Sequence, residues 1–256
     1  MMSSGPVTLH AFSRLVLVTQ ILNFNLDSLK LTARRAGLLY LGMALTGLFG
    51  IMYVPSTLVV PGDATATAEN IKGNEMLFRA GIVSSLLCQT LFIFLALQLY
   101  NLFKSVNQSQ ARLLVGLVIA SVPVAFINML NQSVALILLS GADFLGVFEA
   151  PEINAMVMLF LKLHTEGVAI TEIFWGLWLF PFGYLAYHSG FIPRIFGILL
   201  IVNCVAYAIN SLTHLLFPQL QAIVGNILAV PLAVGEFAMM FWLLIKGARD
   251  QKPAFA

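Results

Sequence analysis

Between Arg194 and Phe217 nearly every residue is aliphatic or aromatic, yet Asn203, Tyr207, Asn210 and His214 recur at spacings of four, three and four. Those intervals put all four on one face of an α-helix. Amides, a phenol and an imidazole are expensive in hydrocarbon unless they meet protein partners or a wet cavity. Two carboxylates, Glu172 and Glu236, stand in equally apolar surroundings. A carboxylate at such depth needs a proton or a cation, and no Lys or Arg shares their level. Together with Asn128 and Asn131 these eight residues form the candidate ligand-binding set. Their chemistry is that of polar contacts or proton carriers inside a membrane.

Other chemistries are poorly represented. There is no Walker loop, no GxGxxG after a strand, no HExxH and no GxSxG. Ser211 beside His214 is only a weak echo of a serine hydrolase. His164, His214 and Glu166 are of the right types for a metal, but their spacing is not diagnostic. Cys88 and Cys204 each lie deep in an apolar run, with neither a CxxC pair nor a zinc-ligand spacing, and read as small buried thiols. No metal or cofactor is expected.

The elements that must position these residues follow from composition. The chain has 256 residues, of which 60% are hydrophobic and 9% charged, with a mean hydropathy of +0.94. Soluble domains carry about 45–50% apolar and roughly 25% charged residues. A chain this poor in charge could not cover a soluble surface, so an integral membrane protein is expected. The net charge of +2 gives no reason to expect a nucleic-acid partner. Six segments are long enough for a hydrocarbon core of ~30 Å, which takes ~20 helical residues: 37–59, 78–103, 112–139, 155–187, 194–216 and 222–245. The fourth is overlong, and its outer part should project from the bilayer or lie in the interface. Pro55, Pro123, Pro181 and Pro231 fall within spans and predict kinks. The expected fold is an all-α, polytopic bundle of six transmembrane helices. An amphipathic surface helix over residues 9–30 should precede it. The organisation is then 1–32 interfacial, 33–250 transmembrane and 251–256 tail.

Orientation follows from basic residues. Arg14, Lys30, Arg34, Arg35, Lys104, Arg112, Arg194, Lys246, Arg249 and Lys252 gather on one side, ten of the 13 Lys and Arg. Both termini are therefore expected to be cytoplasmic, with the acidic loops outside. Counting from the cytoplasmic ends at ~1.5 Å per residue, Asn203 and Glu236 come out at equal depth. Gln89, Asn128, Glu172 and Asn210 share a second level, with Asn131, Gln132, Glu166 and His214 further out. That layering predicts a polar pocket opening outward. Small residues on the faces of Glu172 (Ala169, Gly176, Gly183) and Glu236 (Gly225, Ala229, Ala233) predict close helix contacts. Trp175 and Trp178 read most simply as packing or lipid-facing bulk.

A series of short stretches resembles a family of multi-spanning membrane proteins, family 4386 of the domains of unknown function. They include Ala36-Gly37-Leu38-Leu39-Tyr40, Val59-Val60-Pro61-Gly62-Asp63-Ala64, Leu77-Phe78-Arg79-Ala80-Gly81, Ser189-Gly190-Phe191-Ile192-Pro193-Arg194 and Gly235-Glu236 with Trp242-Leu243-Leu244. The resemblance covers most of 33–250, while Glu166 and Glu172 depart from the family's pattern. It implies one multi-helical membrane domain in the cytoplasmic (inner) membrane of a bacterium, and brings no activity with it. Two readings follow from the residues. One is a binding or transport protein whose pocket accepts a small or amphipathic molecule, with membrane lipids around it. The alternative is an intramembrane enzyme acting on a lipid-like substrate through Glu and His. The absence of a nucleophile or metal motif favours the first.

Overall fold

The computed structural model describes residues 28–249. Six helical segments are long and apolar enough to cross a membrane: Ser28–Leu58, Glu75–Phe103, Gln108–Leu139, Ala150–His188, Arg194–Leu216 and Pro218–Lys246. We label the helices α1 (Ser28–Leu58), α2 (Ala64–Gly73), α3 (Glu75–Phe103), α4 (Gln108–Leu139), α5 (Ala150–Leu177), α6 (Leu179–His188), α7 (Arg194–Leu216) and α8 (Gln221–Phe241). No strand occurs among the described residues. The amphipathic helix expected over 9–30 lies outside them, except for Ser28–Lys30, which run directly into α1.

The helices are interrupted near Pro181 and Pro55, where the missing N–H leaves a carbonyl unserved, while α4 and α8 run unbroken through Pro123 and Pro231. Pro181 cannot donate to Leu177, and the long fourth span parts at Trp178 into α5 and α6. Upstream of Pro55, α1 widens into a π-helix over Leu48–Tyr53, with the Val54 N–H bonding the Phe49 carbonyl. A second π-turn, Trp242–Lys246, ends α8 at Gly247, where φ is +68°. The loops are capped locally. Asp63 accepts from the Ala66 N–H at 2.9 Å, Asn107 from the Gln110 N–H at 3.1 Å, and Glu149 and Glu152 form a capping box on α5. At 39 residues the fourth span is about 58 Å long at ~1.5 Å per residue, more than a bilayer core needs. Its first turns pack against α2.

Neighbours in sequence pack as neighbours in space: α3 on α4, α4 on α5 and α6, α5 and α6 on α7, and α7 on α8. The series returns to α1. Gln98 Nε2 of α3 donates to the Thr32 carbonyl at 3.2 Å, and Ser84 Oγ donates to Thr46 at 2.9 Å. At the other flank Arg34 donates to the Ile245 carbonyl, and Gly37 lies flush against the Leu244 backbone. Gly247 abuts the Lys30 carbonyl, so the first and last described helices meet at one face of the bundle, here the terminal face. Behind it sits an apolar core built around Phe92, Phe103, Trp178 and Phe182, with Trp178 stacked on Phe182 at 5.3 Å and edge-on to Phe92 at 4.9 Å. A smaller core near the far face joins the end of α1 to α2, α3, α4 and the start of α5, and takes nothing from α7 or α8.

α6 and α7 cross closely at paired glycines, Gly183 and Gly197. A Cβ on Gly197 would stand 2.6 Å from the Gly183 carbonyl oxygen and 2.7 Å from the Tyr187 nitrogen, both backbone atoms that cannot yield. Gly197→Val should therefore cost about 1–3 kcal/mol through overpacking. Gly116→Val, in a position with nothing within 4 Å of an added Cβ, should be silent. Thermal stability of the detergent-solubilised variants, read by size exclusion, checks the contrast.

Candidate functional site

The polar stripe of α7 turns into the bundle. Asn203 is 1% exposed, whereas Val205 on the opposite side is 54% exposed. Each member meets a neighbouring helix. Asn203 Nδ2 donates to the Leu232 carbonyl of α8 at 3.0 Å, and its amide sits directly over Gly235, where a Cβ would lie 2.6 Å from Nδ2. Tyr207 Oη donates to Glu236 Oε1 at 3.1 Å. Asn210 Nδ2 donates to Glu172 Oε2 at 3.0 Å and its Oδ1 accepts from Gln221 Nε2 at 3.0 Å. His214 Nε2 bonds Glu166 Oε2 at 2.9 Å. The stripe thus meets three carboxylates in succession, and Lys and Arg make none of the contacts.

Glu236 also accepts from Tyr40 Oη of α1 at 2.6 Å. Equal depth had paired Glu236 with Asn203, but the two pass each other. Side chains lean toward the N-terminus of their own helix. On antiparallel α7 and α8 they therefore lean in opposite senses, and it is Tyr207, four residues further along α7, that reaches back to Glu236. Tyr40 escaped the sequence-based set because a tyrosine near the end of a span reads as an interfacial anchor. The available signal was its place in the stretch Ala36 to Tyr40 that carries the family resemblance.

Tyr40, Glu172, Tyr207, Asn210 and Glu236 line a cavity of about 570 Å³ between α1 and α8. Its floor is Trp178, and Trp175 forms part of its wall. Apolar side chains such as Met43, Ile51, Phe92 and Phe237 supply most of the rest. The small residues of α8 do something other than expected. Gly225, Ala229 and Ala233 do not admit a neighbouring helix; they form an open wall of this cavity, with Ala229 and Ala233 exposed. Against α7 the small-residue prediction does describe the packing: Gly176 receives Tyr207, whose Cβ would be 2.6 Å from an added Cβ. The opening between α1 and α8 follows from the two ends: they touch at Gly37 and Leu244, and then separate.

A second cavity of about 490 Å³ lies toward the far face, bounded by Lys162, His164, Glu166, His214 and Gln132, with Gln221 shared between the two. Asn128 and Asn131 border neither. Asn128 Nδ2 donates to the His164 carbonyl at 2.9 Å, while His164 Nδ1 bonds the Asn128 carbonyl at 3.2 Å. Asn131 Nδ2 donates to Asn128 Oδ1 at 3.0 Å. This seam joins α4 to α5 over Gly167, where any Cβ would collide with the Asn128 amide.

Of the residues that the enzymatic alternative would draw on, Glu166 and His214 meet at 2.9 Å and line the second cavity with His164. Ser211 Oγ is buried without a hydrogen-bond partner among the described residues, and His214 is turned to Glu166. His164 is engaged with Asn128, and no three His, Cys, Asp or Glu side chains come together as a metal-ligand set among the described residues.

Fold and cavity define a multi-pass helical membrane protein. Its sequence matches the profile of the domain of unknown function DUF4386 over residues 35–247, which takes in every stretch that carried the resemblance, and the chain belongs to that family. An uncharacterized protein of Archaeoglobus fulgidus is 35% identical over 77 residues, 30% of this chain and 44% of the relative, so the match spans less than half of that protein. No solved structure matches.

If the Tyr40–Glu236 contact ties α1 to α8 as the geometry requires, Tyr40→Phe should destabilise the protein by about 1 kcal/mol. The same change should cost much less in a Glu236→Ala background. Equal losses in both backgrounds, in a double-mutant cycle on unfolding in mixed micelles, would show that the hydroxyl and the carboxylate are not coupled.

Proposed function

We propose that this protein binds a small or amphipathic molecule in the membrane-embedded cavity between α1 and α8, as a carrier or transporter. The observation that carries the reading is an apolar cavity of about 570 Å³ with Glu172, Glu236 and Asn210 on its wall, set where α1 and α8 part. Ligand sites are largely apolar concavities of ~300–1,000 Å³ with a few convergent polar groups that fix orientation. Polar residues inside a membrane are expensive and are typically retained for function. Glu172, Glu236, His214, Asn210, Asn203 and Tyr207 are the proposed working set, with Asn128 and Asn131 supporting the α4–α5 seam beside it.

The same reading places the chain in the cytoplasmic membrane of a bacterium, with both termini cytoplasmic. The terminal face carries Lys30, Arg34, Arg35, Arg194, Lys246 and Arg249, and basic residues concentrate on cytoplasmic loops. The domain limits 1–32, 33–250 and 251–256 belong to this reading too. A cysteine introduced beside Lys104 should be silent to an impermeant maleimide in intact cells, and one within residues 64–73 should label; the reverse pattern would invert the topology.

Ala233→Phe tests the cavity. Ala233 is exposed on the open wall, so the added ring fills space and meets no packed neighbour. Purified wild-type protein should enhance the fluorescence of N-phenylnaphthylamine, and the variant should lose most of that signal while keeping its elution profile and thermal stability. Unchanged binding would place the ligand elsewhere.

A further inference from the structure

The charge and hydrogen-bonding character of the main cavity indicate which class of molecule it can hold, given the binding role proposed above. Its polar side chains are lopsided. Two carboxylates reach it, and none of its lining residues is Lys, Arg or His. Glu236 is held at both oxygens by the phenols of Tyr40 and Tyr207. Glu172 is engaged only at Oε2, by Asn210, among the described residues. A third acceptor joins them from α3: Gln89 is 2% exposed, lines the same cavity, and its Oε1 has no hydrogen-bond partner among the described residues. A buried carbonyl without a donor is costly, and no positively charged side chain among the described residues lines the cavity to offset its two carboxylates.

The remaining walls agree. Tyr40, Phe92, Trp175, Trp178 and Tyr207 bring aromatic rings around the same space, and ring faces attract cations most strongly when water is excluded. A carboxylate at membrane depth needs a proton or a cation, and no Lys, Arg or His among the described residues lines this cavity. We propose that the ligand of this cavity is a lipophilic cation: a positively charged nitrogen or comparable centre on an apolar body, bearing no anionic group. The charge would face Glu172, Glu236 and the Gln89 carbonyl, with the apolar body against the aromatic and methionine walls. An amine-headed phospholipid fits less well, because its phosphate would enter beside two carboxylates with no basic side chain to receive it.

The test uses full-length protein in a non-ionic detergent and two ions of matched shape and opposite charge, tetraphenylphosphonium and tetraphenylborate. Binding is read by equilibrium dialysis and by quenching of tryptophan emission, since Trp175 and Trp178 border the cavity and only Trp242, of the 3 tryptophans, lies apart. The cation should bind saturably and the anion should not. Glu172→Gln and Glu236→Gln should each weaken the cation by about tenfold or more, the loss expected when a charge-assisted contact is removed, with an unchanged elution profile as proof of an intact fold. Gln89→Leu, which keeps both carboxylates, should weaken it less and guards against misfolding of the glutamate variants. A short-chain phosphatidylethanolamine should not compete.

Equal binding of both ions, or cation binding unaffected by either glutamate variant, would overturn the charge class while leaving the cavity as a binding site. Displacement by phosphatidylethanolamine would assign the site to a lipid headgroup and overturn it too. Failure of both ions and of N-phenylnaphthylamine would remove the binding function and this inference together.

Discussion

The Glu236 carboxylate sits in the membrane-spanning part of α8, and among the described residues it receives hydrogen bonds from two phenols and lines a cavity that no Lys or Arg borders. Those phenols come from α1 and α7. One acidic side chain of α8 therefore joins its sequence neighbour α7 to the distant α1, and the rest of the arrangement follows from where that junction lies. On the terminal side of it α1 and α8 are in backbone contact at Gly37 and Leu244. Beyond it they part, and the separation is the cavity. Carboxyl–phenol contacts of this kind hold a geometry without filling a volume, so a polar core can coexist with an open space.

Much of this was legible in the sequence. The positions of the six spans follow from hydropathy and length, because hydrocarbon thickness leaves little freedom. The inward face of α7 follows from the spacing of Asn203, Tyr207, Asn210 and His214, since helical phase is a local property. What was not legible is which residue meets which across helices. Asn203 was matched to Glu236 by depth of Cα atoms, whereas the lean of side chains hands Glu236 to Tyr207. Asn128 shares its depth with Glu172, whereas its side chain meets His164 in the α4–α5 seam. Such offsets of one or two turns depend on helix bending and tilt, which composition does not encode.

The small residues of α8 show the same limit. Gly225, Ala229 and Ala233 look like a close-packing face, and in α5 and α6 comparable residues, Gly176 and Gly183, do admit α7. On α8 they border an opening. A face free of large side chains is compatible with either a helix or a ligand as occupant, and the course of α1 relative to α8 decides which. The two cavities then divide the polar residues into a far-face group around Glu166 and His214 and a group around Glu172 and Glu236, with Gln221 shared between them.

The central claim is that the space between α1 and α8 is a ligand site organised by its acidic residues. A crystal structure of the protein with tetraphenylphosphonium tests it most directly. The account predicts density between α1 and α8, with the phosphonium centre facing Glu172 and Glu236 and its rings against Trp175 and Phe92. Density confined to the lipid-facing surface, or to the far-face cavity beside Glu166 and His214, would contradict it.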